Sequence, residues 1–205
     1  MTSTVISGIL LAAGTSSRFG SRNKLLAEID GEPIVCRAAT TLTESELDAV
    51  TVVVGHEADR VRQTLRDRLS DSPQKIPVAI VENPRYCDGQ ASSVRVGIEA
   101  IHASGPGGRE TDPDAVVFAL GDMPFVDSRS VDALLSAYRN GVGDALAAAY
   151  NGERGNPVLF DSRHFDDLAS VEGDVGGRVI LKREGTLVET DDPGVRQDVD
   201  TPEDV

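Results

Sequence analysis

Residues 5–13 read V-I-S-G-I-L-L-A-A and are followed by G-T-S-S-R-F-G at residues 14–20. An apolar run of this length that ends in glycine is typical of a β-strand buried on both faces, as in a parallel sheet. Similar apolar runs occur at residues 49–55, 78–82 and 115–120. The polar, glycine-rich residues after the first strand would lie at the carboxyl edge of the sheet, where α/β proteins bind their ligands.

Amphipathic stretches separate these apolar runs. Residues 33–42, 58–69 and 91–103 carry apolar side chains at helical spacing, and the first of these stretches begins with a proline. A repeated strand–helix order predicts an α/β fold with a mostly parallel central sheet, right-handed crossovers and helices on both faces. The length of 205 residues fits a single domain, residues 1–205.

The second half of the chain has a different pattern. A Gly- and Pro-rich loop at residues 104–114 precedes a predicted helix at 130–138 and a predicted strand at 144–150. Beyond residue 150, short strands and short helices alternate, and we expect residues 151–190 to form a small substrate-side lobe. The strands are predicted at 157–160 and 187–190, and the helices at 164–168 and 177–183.

The charged residues of the chain are mostly acidic, which argues against a nucleic-acid-binding protein. There are 34 acidic and 20 basic residues, and the net charge of −14 leaves too little positive charge for a nucleic-acid partner. Of the basic residues, 17 are Arg and only 3 are Lys. An acidic, lysine-poor surface suits a halophilic protein, because salt screens the repulsion between like charges, but ordinary solubility gives the same composition.

The apolar runs and the cysteines bear on the compartment. No run approaches the ~18 apolar residues that span a bilayer, so we expect no membrane partner. The first residues carry no basic leader segment, and Cys36 and Cys87 belong to no C-x-x-C motif. These features favour a reducing, cytoplasmic location.

The loop at residues 14–20, together with Asn23 and Lys24, is a candidate phosphate-binding segment. Small residues let backbone N–H groups approach phosphate oxygens, and Arg18 and Lys24 add positive charge. The segment is not a P-loop, because Leu25 follows Lys24, and it contains no G-x-G-x-x-G. An ordinary strand-to-helix turn would have the same composition.

Two aspartates are candidate metal ligands. Asp122 follows a buried strand in G-D-M-P, and Asp200 follows a short apolar piece. Mg²⁺ prefers one or two carboxylates together with phosphate oxygens, although each aspartate alone also fits a capping role. The two carboxylates would meet if both strands end at the same edge. Thr201 before Pro202 predicts a helix N-cap with proline at the first position.

A polar turn at residues 83–93 leads into a predicted helix that carries Ser92 and Ser93 near its start. These hydroxyl groups fit a capped helix N-terminus. They also fit the recognition of a small ring by backbone and hydroxyl groups.

Taken in order, five motifs resemble the signature of the MobA-like nucleotidyltransferases, and within that family the chain is most similar to the molybdenum cofactor cytidylyltransferases. The motifs span nearly the whole chain. They are L-A-A-G-T-S-S-R-F-G at 11–20 with N-K-L-L at 23–26, G-D-M-P at 121–124, G-N-P-V-L-F at 155–160, G-D-V-G-G-R at 173–178 and V-D-T-P-E-D at 199–204.

The resemblance implies a Rossmann-like nucleotidyltransferase fold and an Mg²⁺-dependent enzyme, with Mn²⁺ as a substitute. It implies transfer of CMP from CTP to a phosphate monoester, molybdopterin or molybdenum cofactor, with release of pyrophosphate and with a molybdoenzyme as protein partner. The implied catalytic residues are Lys24, Arg18 and Asp122, and the implied metal ligands are Asp122 and Asp200. The implied nucleotide-binding residues are Leu11, Ala12, Ala13, Gly14, Thr15, Ser16, Arg18, Lys24, Gly89, Gln90, Ser93 and Asp122. The implied acceptor-binding residues are Asn156, Asp174 and Arg178.

The prediction of which nucleotide is used depends on one residue, Ala13. Guanylyl-transferring relatives usually read A-G-G where this chain has Ala12, Ala13 and Gly14. A methyl group at Ala13 would narrow the base pocket and favour a pyrimidine, so we expect CTP.

Other functions fit the same motifs. One alternative is a MobA-like transferase that uses GTP, and another is a cytidylyltransferase that acts on another alcohol or sugar phosphate. The chain would otherwise be a nucleotide-binding regulator without turnover, or a module that delivers molybdopterin to an enzyme. Asn156 stands where relatives often have His, which bears on the acceptor.

Overall fold

A computed structural model gives the fold and describes residues 4–16, 19–20, 22–70, 76–104, 112–170, 173 and 177–205. The strands are β1 (Ile6–Ala12), β2 (Glu28–Ile29), β3 (Glu32–Pro33), β4 (Ala49–Val54), β5 (Val78–Glu82), β6 (Ala115–Leu120), β7 (Ala145–Tyr150), β8 (Glu153–Asp161) and β9 (Thr186–Glu189). The α-helices are α1 (Ile34–Glu44), α2 (Ala58–Ser70), α3 (Gln90–Ser104), α4 (Ser128–Arg139), α5 (Phe165–Ser170) and α6 (Arg178–Glu184).

Seven strands form one central sheet in the order β5-β4-β1-β6-β8-β7-β9, and β2 pairs with β3 in a separate small hairpin. Only β8 runs against its neighbours, because it is antiparallel to both β6 and β7. The other pairings, β4 with β5 and β1, β1 with β6, and β7 with β9, are parallel. The mostly parallel α/β sheet predicted from the sequence is confirmed.

Helices cover both faces of the sheet. Ile9 and Leu10 of β1 point to opposite faces, and each belongs to a different apolar cluster. The cluster around Leu10 includes α1, α2 and α4, and the cluster around Ile9 includes α3, α5 and α6. Because both faces are covered, successive positions of β1 are buried, which explains the continuous apolar run in the sequence.

Residues 151–190, which we expected to form a substrate-side lobe, have no sheet of their own in the part of the segment that the structure describes. Strands β8 and β9 belong to the central sheet, and α5 and α6 pack on the same face as α3. The strand predicted at 157–160 is the longer β8. Asn151 and Gly152 have positive φ angles of 54° and 76° and form a tight turn, so pairing already begins between Tyr150 and Glu153.

The Gly- and Pro-rich loop predicted at 104–114 falls largely on residues 105–111, which lie outside the described residues. Among the residues that are described, no helix has the length and the apolar character to cross a bilayer.

Candidate active site

The carboxyl ends of β1 and β6 lie side by side at the centre of the sheet. Leu11 is paired with Leu120, and the N–H of Gly121 donates to the carbonyl oxygen of Leu11 at 2.9 Å. A Cβ atom at Gly121 would lie 3.2 Å from the Cβ of Ala12 and 3.2 Å from that carbonyl oxygen. Glycine therefore lets the loop after β6 approach β1 closely, and this places Asp122 beside the loop that follows β1.

The C-terminal segment is bound to the same edge of the sheet. The N–H of Val199 donates to the carbonyl oxygen of Asp122 at 2.8 Å. Two glycines permit this approach, because a Cβ at Gly155 would overlap with the carbonyl of Val195, and one at Gly194 would overlap with the carbonyl of Phe125.

A capped turn holds the end of this segment. Thr201 is the N-cap of the 3₁₀ turn Pro202–Asp204, with proline at the first position as predicted. The carboxylate of Asp204 accepts hydrogen bonds from the N–H groups of Thr201 at 2.8 Å and Asp200 at 3.0 Å. These bonds hold the pKa of Asp204 below its ordinary value and fix the backbone of Asp200.

Lys24 joins the two aspartates. Its Nζ atom lies 2.6 Å from Oδ2 of Asp122 and 3.3 Å from Oδ1 of Asp200, and it donates to the carbonyl oxygen of Val199 at 3.0 Å. The Lys24 side chain is 13% exposed, so these ion pairs are partly shielded from water. The sequence prediction that Asp122 and Asp200 meet agrees with this geometry.

The backbone of Lys24 is fixed by Ser16 and Asn23. The Asn23 side chain caps the 3₁₀ turn Lys24–Leu26 by accepting a hydrogen bond from the N–H of Leu25 at 3.1 Å. The hydroxyl of Ser16 accepts from the N–H of Lys24 at 3.1 Å and donates to Oδ1 of Asn23 at 3.3 Å. Asn23 is 3% exposed, so this network is buried. It fixes the backbone position from which the Lys24 side chain extends.

Asp198 is a third carboxylate beside Asp122 and Asp200, and it was not predicted from the sequence. One carboxylate oxygen from each of Asp122, Asp198 and Asp200 lies within 4.8 Å of the other two. Asp198 and Asp200 are two positions apart in a non-helical segment, so the D-V-D pattern was the signal that could have added Asp198 to the predicted Asp200. Carboxylate oxygens are the ligands that Mg²⁺ and Mn²⁺ prefer, and their closeness fits a divalent cation.

A cavity of about 590 Å³ lies against these residues. Most of the predicted nucleotide-binding residues line it, namely Leu11, Ala13, Gly14, Thr15, Lys24, Gly89, Gln90, Ser93 and Asp122. The remaining lining residues were not predicted from the sequence; they are Leu25, Tyr86, Cys87, Asp88, Leu120 and Gly173.

Two of the predicted nucleotide-binding residues that the structure describes, Ala12 and Ser16, do not line this cavity. Ala12 does not line it and is 1% exposed, because it packs in the core at the end of β1. Ser16 does not line it either; it is 8% exposed, and its hydroxyl positions Lys24. Arg18 and Asp174 lie outside the described residues.

The segment before α3 is held by a buried asparagine. Asn83 is fully buried and donates from Nδ2 to the hydroxyl oxygens of Ser92 at 2.8 Å and Ser93 at 3.0 Å. Its Oδ1 accepts from the N–H of Arg85 at 2.9 Å. Gly89 has a φ of 95°, which lets the chain turn into the helix. The start of α3 therefore presents fixed polar groups to the cavity.

Ala13 and Tyr86 both line the cavity, and both lie against Gly55. A Cβ atom at Gly55 would lie 2.6 Å from the Cβ of Tyr86 and 2.8 Å from the Cβ of Ala13. Ala13 is 5% exposed, so its methyl group is largely used in this packing. The width of the cavity beside Gly55 depends on all three residues.

A second cavity of about 210 Å³ adjoins the first and shares Leu11, Gln90 and Leu120 with it. Two predicted acceptor residues, Asn156 and Arg178, line this second cavity together with Arg154. Its apolar lining consists of Val94, Phe118, Val158, Phe160, Leu168 and Leu181.

Comparison with known proteins assigns the chain to a family. The MobA-like NTP transferase domain matches residues 8–189. The chain is 31% identical to nicotine blue oxidoreductase of Paenarthrobacter nicotinovorans, over 97% of this chain and 93% of that protein. It is 29% identical to purine catabolism protein PucB of Bacillus subtilis, over 99% of this chain and 95% of that protein. The chain belongs to the MobA-like NTP transferase family and is a nucleotidyltransferase.

Solved structures share the fold. Rv0371c from Mycobacterium tuberculosis H37Rv has a TM-score of 0.75 and 24% identity, and the match covers 100% of this chain and 96% of that one. The complex of Rv0371C with manganese has a TM-score of 0.72 and 22% identity, with coverage of 98% and 96%. A nucleotidyl transferase from Methanothermobacter thermautotroptrophicus has a TM-score of 0.77 and 20% identity, with coverage of 98% and 94%.

The two cysteines provide a test of the cavity. Cys87 is exposed and lines it, whereas Cys36 is buried, and burial raises the pKa of the Cys36 thiol to about 11. Because the thiolate is the reactive form, iodoacetamide at pH 8 should label Cys87 alone. Saturating CTP with Mg²⁺ should slow this labelling several-fold, as measured by mass spectrometry of the labelled peptide.

The alkylation of free glutathione under the same conditions is the control, because CTP should leave that rate unchanged. A labelling rate at Cys87 that does not respond to CTP, UTP or GTP would contradict the assignment of this cavity to the nucleotide.

Proposed function

We propose that this member of the family transfers CMP from CTP to a phosphate monoester, with molybdopterin as the acceptor, and releases pyrophosphate. The observation that carries the proposal is the meeting of Lys24, Asp122 and Asp200 beside the cavity of about 590 Å³. A lysine and carboxylates at the carboxyl edge of an α/β sheet suit a triphosphate bound together with a divalent cation. In such a transfer, positioning and charge neutralisation supply most of the catalysis.

Mg²⁺ is the proposed cofactor, with Mn²⁺ as a substitute. Asp122, Asp198 and Asp200 would hold the cation, and the distances between their carboxylate oxygens support this. Bound there, a divalent cation would neutralise charge on the triphosphate and on the leaving pyrophosphate. The manganese complex of Rv0371C, which shares the fold, is consistent with a divalent cation.

The chain's own residues would position the reacting groups. A phosphate oxygen of the acceptor attacks the α-phosphorus of CTP, the bond between that phosphorus and the bridging oxygen breaks, and pyrophosphate leaves with the electron pair. Lys24 would stabilise charge on the triphosphate, and Arg18 is proposed for the same role from its sequence match. Gly89, Gln90 and Ser93 would contact the base, because they line the cavity at the start of α3.

The second cavity is the proposed acceptor site. Its apolar lining would hold a ring system, and Arg178 and Asn156 would contact the polar groups and the phosphate of the acceptor. Asp174 is proposed as a further acceptor contact from its sequence match. Because the two cavities share Leu11, Gln90 and Leu120, donor and acceptor would meet at this border.

The cytoplasm is the proposed compartment, and both cysteines are free. A molybdoenzyme that receives the product is the proposed protein partner. The net charge of −14 supports a halophilic setting for this protein.

Pyrophosphate release in the presence of CTP, Mg²⁺ and molybdopterin tests the proposed reaction. We expect release that requires the acceptor, together with an equal amount of a cytidylylated product detected by mass spectrometry. A panel of sugar and alcohol phosphates should give less turnover. Because one relative is named an oxidoreductase, NADH and NADPH are assayed in parallel. Oxidation of either cofactor without pyrophosphate release would contradict the proposal.

Asp122→Asn tests the role of the carboxylate. Asparagine keeps the shape of the side chain but loses the negative charge that would hold Mg²⁺, so turnover should be abolished while the circular dichroism spectrum stays that of the wild type. Asp59→Asn is the matched control, because that side chain is 98% exposed on α2. Equal activities of the two variants at limiting Mg²⁺ would rule out Asp122 as a metal ligand.

Ala13→Gly tests the choice of nucleotide. If the bound base leaves a buried polar group of the cavity without a hydrogen bond, the free energy of binding is weakened by ~1–3 kcal/mol. At ~1.4 kcal/mol per factor of ten, CTP should be preferred over GTP by roughly ten- to a hundredfold in kcat/KM. Removing the Ala13 methyl group loosens the packing against Gly55 that it shares with Tyr86, so the preference should fall while activity remains.

The control for this variant is Ala133→Gly, which removes a methyl group from α4 outside the lining of both cavities. It should leave the ratio of the two kcat/KM values unchanged. If the wild type uses GTP as well as CTP, the argument from Ala13 is wrong.

A further inference from the structure

The ammonium group of Lys24 has used all of its hydrogen-bonding capacity. It donates to Oδ2 of Asp122 at 2.6 Å, to the carbonyl oxygen of Val199 at 3.0 Å and to Oδ1 of Asp200 at 3.3 Å. A lysine ammonium has three N–H protons and no acceptor. In this position Lys24 therefore has no proton left for an oxygen of a triphosphate.

The same position conflicts with a cation on the carboxylates. Asp122 and Asp200, which hold the ammonium, belong to the set whose oxygens lie within 4.8 Å of one another. A Mg²⁺ or Mn²⁺ ion would need to lie at ~2.0–2.2 Å from such oxygens, which is within repulsive distance of an ammonium bonded to them. The ammonium in this position therefore weakens the binding of a divalent cation to the same carboxylates.

The contacts of Lys24 are not needed to hold the C-terminal segment. The N–H of Val199 already binds the carbonyl oxygen of Asp122 at 2.8 Å, and Asp204 holds the backbone of Asp200. The backbone of Lys24 is fixed by Ser16 and Asn23, but its side chain has four rotatable carbon–carbon bonds and lines the cavity. The ammonium can therefore move into the cavity while the rest of the site stays in place.

We propose that Lys24 acts as an internal counter-ion that occupies the cation position until a triphosphate draws the ammonium away. Nucleotide and divalent cation then bind as a coupled pair, and the cation alone binds weakly. The coupling is reciprocal, since each ligand strengthens the binding of the other by the same factor. This inference rests on the proposed function and adds to it a coupling between nucleotide and cation that disfavours the metal-first route.

Manganese binding to the protein alone tests this inference, with free Mn²⁺ quantified by electron paramagnetic resonance. Lys24→Met should bind Mn²⁺ at least about fivefold more tightly than the wild type, which is the lower end of typical coupling between two sites. Lys182→Met is the matched control, because it removes the same charge from an exposed position on α6. It should bind Mn²⁺ like the wild type.

Lys24→Arg provides the second variant, because it keeps a positive charge at the site and should keep Mn²⁺ binding weak. A non-hydrolysable CTP analogue should tighten Mn²⁺ binding strongly in the wild type and less in Lys24→Met. The inference is overturned if Lys24→Met binds Mn²⁺ no more tightly than the wild type, or if Lys182→Met gains as much.

The measurement without nucleotide does not depend on turnover. If pyrophosphate release fails while the Mn²⁺ result holds, the proposed reaction is wrong and the counter-ion role stands. If the Mn²⁺ result fails while pyrophosphate release holds, only the counter-ion role is lost.

Discussion

The ion pairs of Lys24 with Asp122 and Asp200 join three parts of the chain that are far apart in sequence. Lys24 is separated from Asp122 by 98 positions and from Asp200 by 176. Carboxylates brought together at a partly buried point repel one another and lose hydration, and a fixed cation offsets both costs. Lys24 therefore stabilises the carboxylates of the loop after β6 and of the C-terminal segment, while the backbone bond from Val199 to Asp122 holds these two segments together.

Backbone packing makes the convergence sterically feasible. Gly121 brings the loop after β6 against β1, and Gly155 and Gly194 let the C-terminal segment lie against β8 and the loop before α4. These glycines belong to different elements and share no local pattern. The result is two adjoining cavities that share the ends of β1 and β6 and the start of α3, an arrangement that suits the proposed transfer between two substrates.

The sheet was predictable because both of its faces are covered, which imposes continuous apolar runs on the central strands. Asp122 was predictable as well, since the ends of parallel strands share one edge. Tyr86 was not found, because its place beside the cavity depends on its contact with Gly55. Asp198 was not found either, although its spacing from Asp200 is visible in the sequence. Ala12 and Ser16 matched the family motif, yet Ala12 lies in the core and the hydroxyl of Ser16 binds the N–H of Lys24. A motif thus identified the segment, and packing decided which of its side chains face the ligand.

Anomalous diffraction at the manganese edge, from crystals grown with Mn²⁺ and a non-hydrolysable CTP analogue, tests the central claim most directly. We predict one strong peak at ~2.0–2.2 Å from carboxylate oxygens of both Asp122 and Asp200, with the analogue in the cavity lined by Ala13 and Ser93. Lys24 should contact the phosphates in that structure. A manganese peak away from these two aspartates, or an analogue bound outside this cavity, would contradict the account.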